Sequence, residues 1–318
     1  MKPAVELRIP YRLHLGFYRY NDPPYLFGST GVAVSEPYFT IKAERVEGPI
    51  IVNTPTEESR EVITETLIKL GIKEGVRVSV EGLVKHHVGL GSRTKLVIGV
   101  LKALRELKCL RPGAPIKETA NALGLGRVSG IGIYTFLMGG FVVDTGVAVE
   151  GEVVKHPELL LRLKPPSWSI VIAVPEGVAG LHGRVEESIL NNAEPHQKQE
   201  ELYRLLANLI TAVRFNHFKP FSEALSKIQV LAGQYFSKYQ GGMYSSEESC
   251  LIAEALRKSG VEAIGQSSWG PTIYCFTEDR RKAIKSVNVL KDLRSSLRLN
   301  FWVTRVSGRG HYVENSPS

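Results

Sequence analysis

The stretch Val88-Gly-Leu-Gly-Ser-Arg-Thr-Lys95 sits between an alternating segment, residues 76–84, and an apolar run, residues 96–104. Alternation predicts a strand before it, and helical spacing predicts a helix over residues 95–107 after it. A glycine turn from strand to helix leaves backbone N–H groups free at the positive end of a helix dipole, which suits an anion. Gly89, Gly91, Ser92, Arg93, Thr94 and Lys95 are therefore expected to bind phosphate, with Arg93 and Lys95 adding full charges. The spacing matches neither a Walker loop nor a dinucleotide fingerprint. A plain connector also uses glycines, and Lys95 also fits a solvated first-turn lysine.

The chain has 318 residues, 43% apolar and 23% charged, with a formal net charge of +8. That is ordinary globular usage and room for two domains. No apolar run reaches membrane-spanning length and no signal core opens the chain, so a cytoplasmic protein without a membrane partner is expected. Cys109, Cys250 and Cys275 lack metal-ligand spacing and read as buried thiols. The basic residues are spread out, with local enrichment over residues 280–309, and do not cluster with aromatics. No nucleic-acid partner is expected, and the positive field suits a small polyanion.

Strands are predicted over residues 5–17, 31–46, 76–84, 141–144, 168–175 and 300–306, with two more inside residues 261–276. Helices are predicted over residues 58–70, 95–107, 116–123, 197–215, 218–236, 247–259 and 279–293, with an apolar run at 133–138. Pro165-Pro166 is the candidate boundary, dividing the chain into 1–164 and 165–318. An α+β protein of two units results, the second a split β-α-β arrangement.

Three further places carry polar groups that packing does not explain. Gly265-Gln-Ser-Ser-Trp-Gly-Pro-Thr272 interrupts two strands, so Gln266, Ser267, Ser268 and Trp269 are candidate ligand contacts. Gly126-Arg-Val-Ser-Gly-Ile-Gly132 offers Arg127, Ser129 and Gly130. Arg12 and His14 share one face of the first strand, opposite Tyr11, Leu13 and Leu15, and suggest a lined cleft; a structural pair is the alternative. His182, His196 and His217 make no metal site by spacing and read as surface residues. Glu186-Glu187 reads as the start of a solvated helix. Asp144-Thr-Gly146 lacks the paired acids of a phosphoribosyltransferase diphosphate loop.

In order along the chain, three of these elements resemble the GHMP kinase superfamily (galactokinase, homoserine kinase, mevalonate kinase, phosphomevalonate kinase). They are Pro10-Tyr-Arg-Leu-His-Leu-Gly16, Gly89-Leu-Gly-Ser-Arg93 and the turn Gly265 to Gly270. The resemblance implies an N-terminal α/β domain and a ferredoxin-like C-terminal domain. Many of these kinases carry Ser-Gly-x-Asp as a base toward the substrate hydroxyl, whereas this chain has Ser129-Gly-Ile-Gly132. A narrower resemblance, extending through Gly139-Gly-Phe-Val-Val-Asp144, Gln240-Gly-Gly-Met-Tyr244 and Gly265 to Thr272, is to the archaeal β-ribofuranosylaminobenzene 5′-phosphate synthases of methanopterin-type cofactor synthesis. The family loop usually continues Gly-Thr-Gln where this chain has Arg93-Thr-Lys95.

That family joins phosphoribosyl pyrophosphate to 4-aminobenzoate with release of pyrophosphate and carbon dioxide. The resemblance implies catalytic or cleft-lining roles for Arg12, His14, His87 and Arg127. It implies phosphate contacts from Gly89, Gly91 and Ser92 to Lys95, with Ser129 and Gly130 beside them. It also implies an opposite wall of Gln266, Ser267, Ser268 and Trp269, with Trp269 against the aromatic ring. Mg²⁺ is expected with the pyrophosphate, and a homodimer is expected. An ATP-dependent small-molecule kinase and an RNA-binding protein are the rival readings.

Overall fold

The computed structural model describes residues 3–110, 113–181 and 183–315. The first half runs β1 (Ala4–Phe17), β2 (Asn21–Asp22), β3 (Tyr25–Leu26), β4 (Ser29–Pro49), β5 (Ile51–Asn53), α1 (Glu57–Lys69), β6 (Glu74–Glu81), α2 (Ser92–Glu106), α3 (Ile116–Ala122), α4 (Ile131–Met138), β7 (Phe141–Asp144), β8 (Val147–Glu150), β9 (Val153–Lys155) and β10 (Leu159–Leu163). The second runs β11 (Ser169–Pro175), α5 (Gly183–Asn191), α6 (Gln199–Phe215), α7 (Phe218–Gln240), α8 (Glu247–Lys258), β12 (Ala263–Gln266), β13 (Ile273–Thr277), α9 (Arg280–Leu293), β14 (Leu299–Arg305) and β15 (Tyr312–Asn315).

The first sheet has the order β10-β7-β4-β1-β15, with β6 also paired to β4 and β5 to β6. Strand β1 is buried along most of its length, and its pairing with β4 shifts register between Pro10 and Arg12 and again between His14 and Gly16. Such bulges re-aim side chains beside a site. Helix α2 lays Leu96, Ile98, Val100, Leu101 and Leu104 into the core. It approaches the sheet at Gly99, where a Cβ would fall 2.4 Å from Ile9 Cδ1.

The second sheet, β12-β13-β11-β14, is antiparallel and covered on both faces. Ile170, Ile172 and Val174 join the main core with residues of α6 and α7, while Val171 and Ala173 pack with residues of α8 and α9. Alternation along one strand thus serves two cores. A small sheet, β2-β3-β8-β9, lies apart from both. The second sheet begins just past Pro165-Pro166, yet β15 returns to the first sheet and pairs with β1.

Several elements depart from expectation. Helix α2 starts at Ser92, so Ser92 to Lys95 form its first turn rather than a loop. Helix α7 runs on to Gln240, and β4 spans residues 29–49 rather than 31–46. Of the cysteines only Cys275 is fully buried; Cys109 and Cys250 are half-buried. Histidine 196 is buried rather than on the surface, its ring 4.8 Å from Tyr20 and 5.3 Å from Tyr235. Histidine 217 is exposed, and His182 lies outside the described residues. Among the described residues, no helix is long and apolar enough to cross a membrane.

Candidate active site

The glycine loop leaves β6, turns at His87, Gly89 and Gly91 with positive φ (61°, 93° and 74°), and enters α2. Its backbone lies against that of the 265–272 turn. A Cβ on Gly89 would sit 2.2 Å from Ser267 O, and one on Gly270 would sit 2.1 Å from Gly89 N, so only glycine allows the approach. Hydrogen bonds fix the contact: Thr272 N donates to Val88 O at 3.2 Å and Ser267 Oγ to Gly89 O at 2.6 Å. Gly180 N, from the segment before α5, donates to His87 O at 2.9 Å. Two candidate motifs far apart in sequence therefore form one surface.

Arg12 reaches this surface from the first β1 bulge. Its backbone N–H donates to Leu90 O at 3.2 Å, and its guanidinium bonds Gly89 O and, at 3.4 Å, Ser267 Oγ. Arg12 Nε is buried with no partner among the described residues. Burial lowers the pKa of the group to about 10, against a partial counter-pull from Glu186 on α5. Lys95 is wholly buried in the first turn of α2, and its Nζ also has no hydrogen-bond partner among the described residues. The ammonium lies 5.8 Å from the centre of the Phe136 ring, a weak substitute for a counter-ion. Burial, and secondarily the Arg12 charge, hold Lys95 well below the usual lysine range.

His14 faces a neighbouring cavity of about 200 Å³. The cavity is bounded by the end of β1, by α7, by the 240–244 loop and by the 266–269 turn, and Arg257 and Glu262 also line it. Burial, helped by the Arg12 charge, pushes the His14 pKa down to about 3, so the ring is neutral. The His14 backbone N–H donates to Ser267 Oγ at 3.0 Å, joining the cavity to the glycine loop. Gln266 is scaffolding: its Oε1 accepts from Ser245 N at 2.7 Å and its N–H donates to Gln229 Oε1 at 2.8 Å. Ser268 has a positive φ of 59°, and Trp269 is buried with its ring 4.3 Å from that of Phe236.

The remaining candidates lie elsewhere. Ser92 Oγ bonds buried His86 Nδ1 at 2.9 Å, and His86 Nε2 bonds Ser59 Oγ, which ties the helix start to α1. His87 pairs with Glu58 at 2.8 Å. Arg93 is exposed and lies 3.6 Å from Glu65 of α1. Thr94 packs against Gly132, where a Cβ would lie 2.8 Å from Thr94 Cγ2. Arg127 is exposed near Gly124. Ser129 and Gly130 are engaged by buried Asp144 rather than left open to an anion: Gly130 N donates at 2.7 Å and Ser129 Oγ at 3.2 Å to Oδ2. Asp144 Oδ1 accepts from Ser29 N and Gly146 N.

Sequence reasoning missed Glu186 as the carboxylate whose field reaches Arg12, and took it for a solvated helix start. It also missed His86, Gln229 and the buried role of Asp144. The motif Gln240-Gly-Gly-Met-Tyr244 carried a signal, since its Gln240, Met243 and Tyr244 line the cavity. Among the described residues, no group of three or more His, Cys, Asp or Glu is placed to hold a metal ion.

No protein-family profile matches the chain. It is 29% identical over 294 residues to a protein of Archaeoglobus fulgidus named beta-ribofuranosylphenol 5′-phosphate synthase, covering 88% of this chain and 90% of that one. A protein of the same name from Methanocaldococcus jannaschii is 26% identical, covering 96% of this chain and 99% of that one. Among solved structures, homoserine kinase from Cytophaga hutchinsonii superposes with a TM-score of 0.71 at 15% identity over 99% of this chain and 98% of that one. Phosphomevalonate kinase from Streptococcus pneumoniae gives 0.69 at 14% identity, over 96% of this chain and 100% of that one.

Proposed function

We propose that this chain, a homologue of the β-ribofuranosylphenol 5′-phosphate synthases built on the GHMP kinase fold, joins phosphoribosyl pyrophosphate to a 4-substituted benzoate with loss of pyrophosphate and carbon dioxide. The observation that carries this reading is a pair of basic side chains, the fully buried Lys95 and the half-buried Arg12, each with a buried nitrogen unpartnered among the described residues, where the glycine loop enters α2. A buried basic nitrogen without a hydrogen-bond partner is costly unless a ligand supplies one, and the field of Glu186 answers Arg12 only in part. Two cations beside free helix N–H groups match a polyphosphate better than a single carboxylate.

The bond between the ribosyl carbon and pyrophosphate breaks with both electrons leaving on pyrophosphate. Arg12, Lys95 and the N–H groups opening α2 receive that charge. The ring carbon bearing the carboxylate bonds to the ribosyl carbon, with electron density supplied by the para substituent. Loss of carbon dioxide then returns a bonding pair to the ring and restores its aromaticity. No proton is taken from carbon or from a hydroxyl, so the step requires no general base. That agrees with Gly132 at the position where many kinases of this fold carry a carboxylate, and with Thr94 filling the space a side chain there would need. Mg²⁺ would enter with the pyrophosphate-bearing substrate, whose phosphate oxygens are the hard ligands it favours.

The relatives' names specify a phenol product, which favours 4-hydroxybenzoate over the 4-aminobenzoate expected from the motifs. The purified protein, phosphoribosyl pyrophosphate, Mg²⁺ and each carboxyl-labelled benzoate should release labelled carbon dioxide in step with pyrophosphate, faster with the hydroxy acceptor. ATP hydrolysis coupled to phosphorylation of a metabolite, with no carbon dioxide from either benzoate, would overturn the proposal.

A further inference from the structure

We infer that the cavity beside the glycine loop seats the aromatic acceptor, with its carboxylate-bearing carbon at the His14 end and its para substituent at Tyr244. The inference rests on the phosphoribosyl transfer proposed above and adds the place, orientation and hydrogen-bond character of the acceptor.

Phe17, Phe236 and Trp269 supply aromatic walls, Phe236 lying 4.3 Å from Trp269 and 6.2 Å from Phe17 between ring centres. A flat apolar ring suits such walls. The two ends differ. At the inner end, His14 and Ser268 flank Ser267, whose hydroxyl bonds both His14 N and Gly89 O. This end abuts the glycine loop, so a ribosyl carbon whose pyrophosphate lies at Arg12 and Lys95 arrives here. His14 Nδ1 accepts from Gly16 N at 3.2 Å, which puts the ring proton on Nε2. Nε2 has no protein partner among the described residues and is placed to donate to a carboxylate. Because burial holds His14 neutral, it orients that carboxylate without the full ion pair that would oppose its loss as carbon dioxide.

At the outer end Arg257 is exposed and marks the mouth. Its Nη2 donates to Tyr244 Oη at 3.2 Å, so the Tyr244 hydroxyl keeps its own proton to donate. A donor there selects a para group that accepts a hydrogen bond. A phenolic oxygen does so well; an aniline nitrogen, its lone pair delocalised into the ring, does so poorly. The Gln229 amide donates to Leu15 O and accepts from the Gln266 backbone N–H, and the Gln266 amide accepts from Ser245 N and donates to Ser268 O, so both shape the cavity and do not recognise the para group.

Two variants of the full chain test this. Ala232→Phe places a ring in the cavity from α7. It should raise the acceptor KM at least about tenfold and abolish 4-hydroxybenzoate binding in calorimetric titration, with phosphoribosyl pyrophosphate binding within about twofold of wild type. Tyr244→Phe, at the mouth, should cut the preference for 4-hydroxybenzoate over unsubstituted benzoate by about tenfold, the scale of one hydrogen bond. It decides the matter alone if Ala232→Phe fails to fold. Unchanged 4-hydroxybenzoate affinity and selectivity in the folded variants would overturn the assignment, even with carbon dioxide release intact. Wild-type binding of 4-hydroxybenzoate that Ala232→Phe or Tyr244→Phe weakens as stated supports the assignment, even if no carbon dioxide is released and the reaction reading falls.

Discussion

Two buried charged sites in the N-terminal half of this chain are treated in opposite ways. Asp144 has no exposure, yet its carboxylate accepts from Ser29 N, Gly130 N, Gly146 N and Ser129 Oγ. Lys95 is as deeply buried and Arg12 is half-buried with its Nε shut from solvent; both are basic, and each keeps a nitrogen that no described residue partners. The carboxylate ties β4, the start of α4 and the β7–β8 turn together, which is a structural task. The two basic groups sit where the glycine loop opens α2 and, on the proposed function, answer to a ligand. A buried charge satisfied by its own chain holds the fold, and one left unsatisfied is held for something that arrives.

The contrast is sharpest if Lys95 is replaced by Met. Activity should fall by about a thousandfold in kcat/KM, since the proposed contact to the leaving pyrophosphate is lost. The urea midpoint should hold or rise, because a buried amine without a hydrogen-bond partner is replaced by an apolar side chain of similar length. A marked loss of stability would show that Lys95 serves the fold. For Asp144→Ala the pattern should invert: stability falls by about 3 kcal/mol as buried donors lose their acceptor, while the KM of the remaining folded enzyme for phosphoribosyl pyrophosphate changes little. Equal damage to both would break the comparison.

Acid provides a third test. His14 is held at about 3 against 6.5 for a free imidazole, so its contribution is complete above pH 6.5 and is lost as pH falls from there toward 3. Asp144 runs the other way: its carboxyl is raised from 3.8 to about 6, mainly by burial, so its contribution is present below pH 3.8 and lost as pH rises through 6. Between pH 7.5 and 5, wild type should lose about 2 kcal/mol relative to His14→Gln in denaturant titrations. Parallel pH profiles for the two proteins would refute the neutral His14. The smallest effect belongs to Arg93→Gln. Exposed and paired with Glu65, Arg93 should change kcat/KM by less than about twofold, and a large loss would move the phosphate toward the outer face of α2.

Much of this was legible from the chain. The glycine turn before α2, Arg12 and His14 on one face of β1, and the polar turn after β12 each announce themselves by local pattern, and each lies at the site. Arg93 and Lys95 looked equivalent in sequence, but helix phase sends one to solvent and the other under Phe136. Ser129 and Gly130 looked like phosphate contacts because Asp144, fourteen residues beyond Gly130, gives no local sign that it folds back onto them. Glu186 looked solvated because nothing near it in sequence hints at Arg12.

The amino-acid sequence by itself determined the longer strands and most of the helices, the glycine geometry of the loop and the kinase-type order of motifs, since periodicity, turn chemistry and φ preference act within a few residues. Tertiary structure alone decided which polar groups meet. Ser267 lies 178 positions from the Gly89 carbonyl it bonds, and only packing of the two sheets brings them together. The same packing buries Lys95 beside Arg12 and sets the cavity against their loop. Charge satisfaction is a property of three-dimensional neighbours, so the distinction between a charge that holds the fold and one that awaits a substrate becomes visible only there.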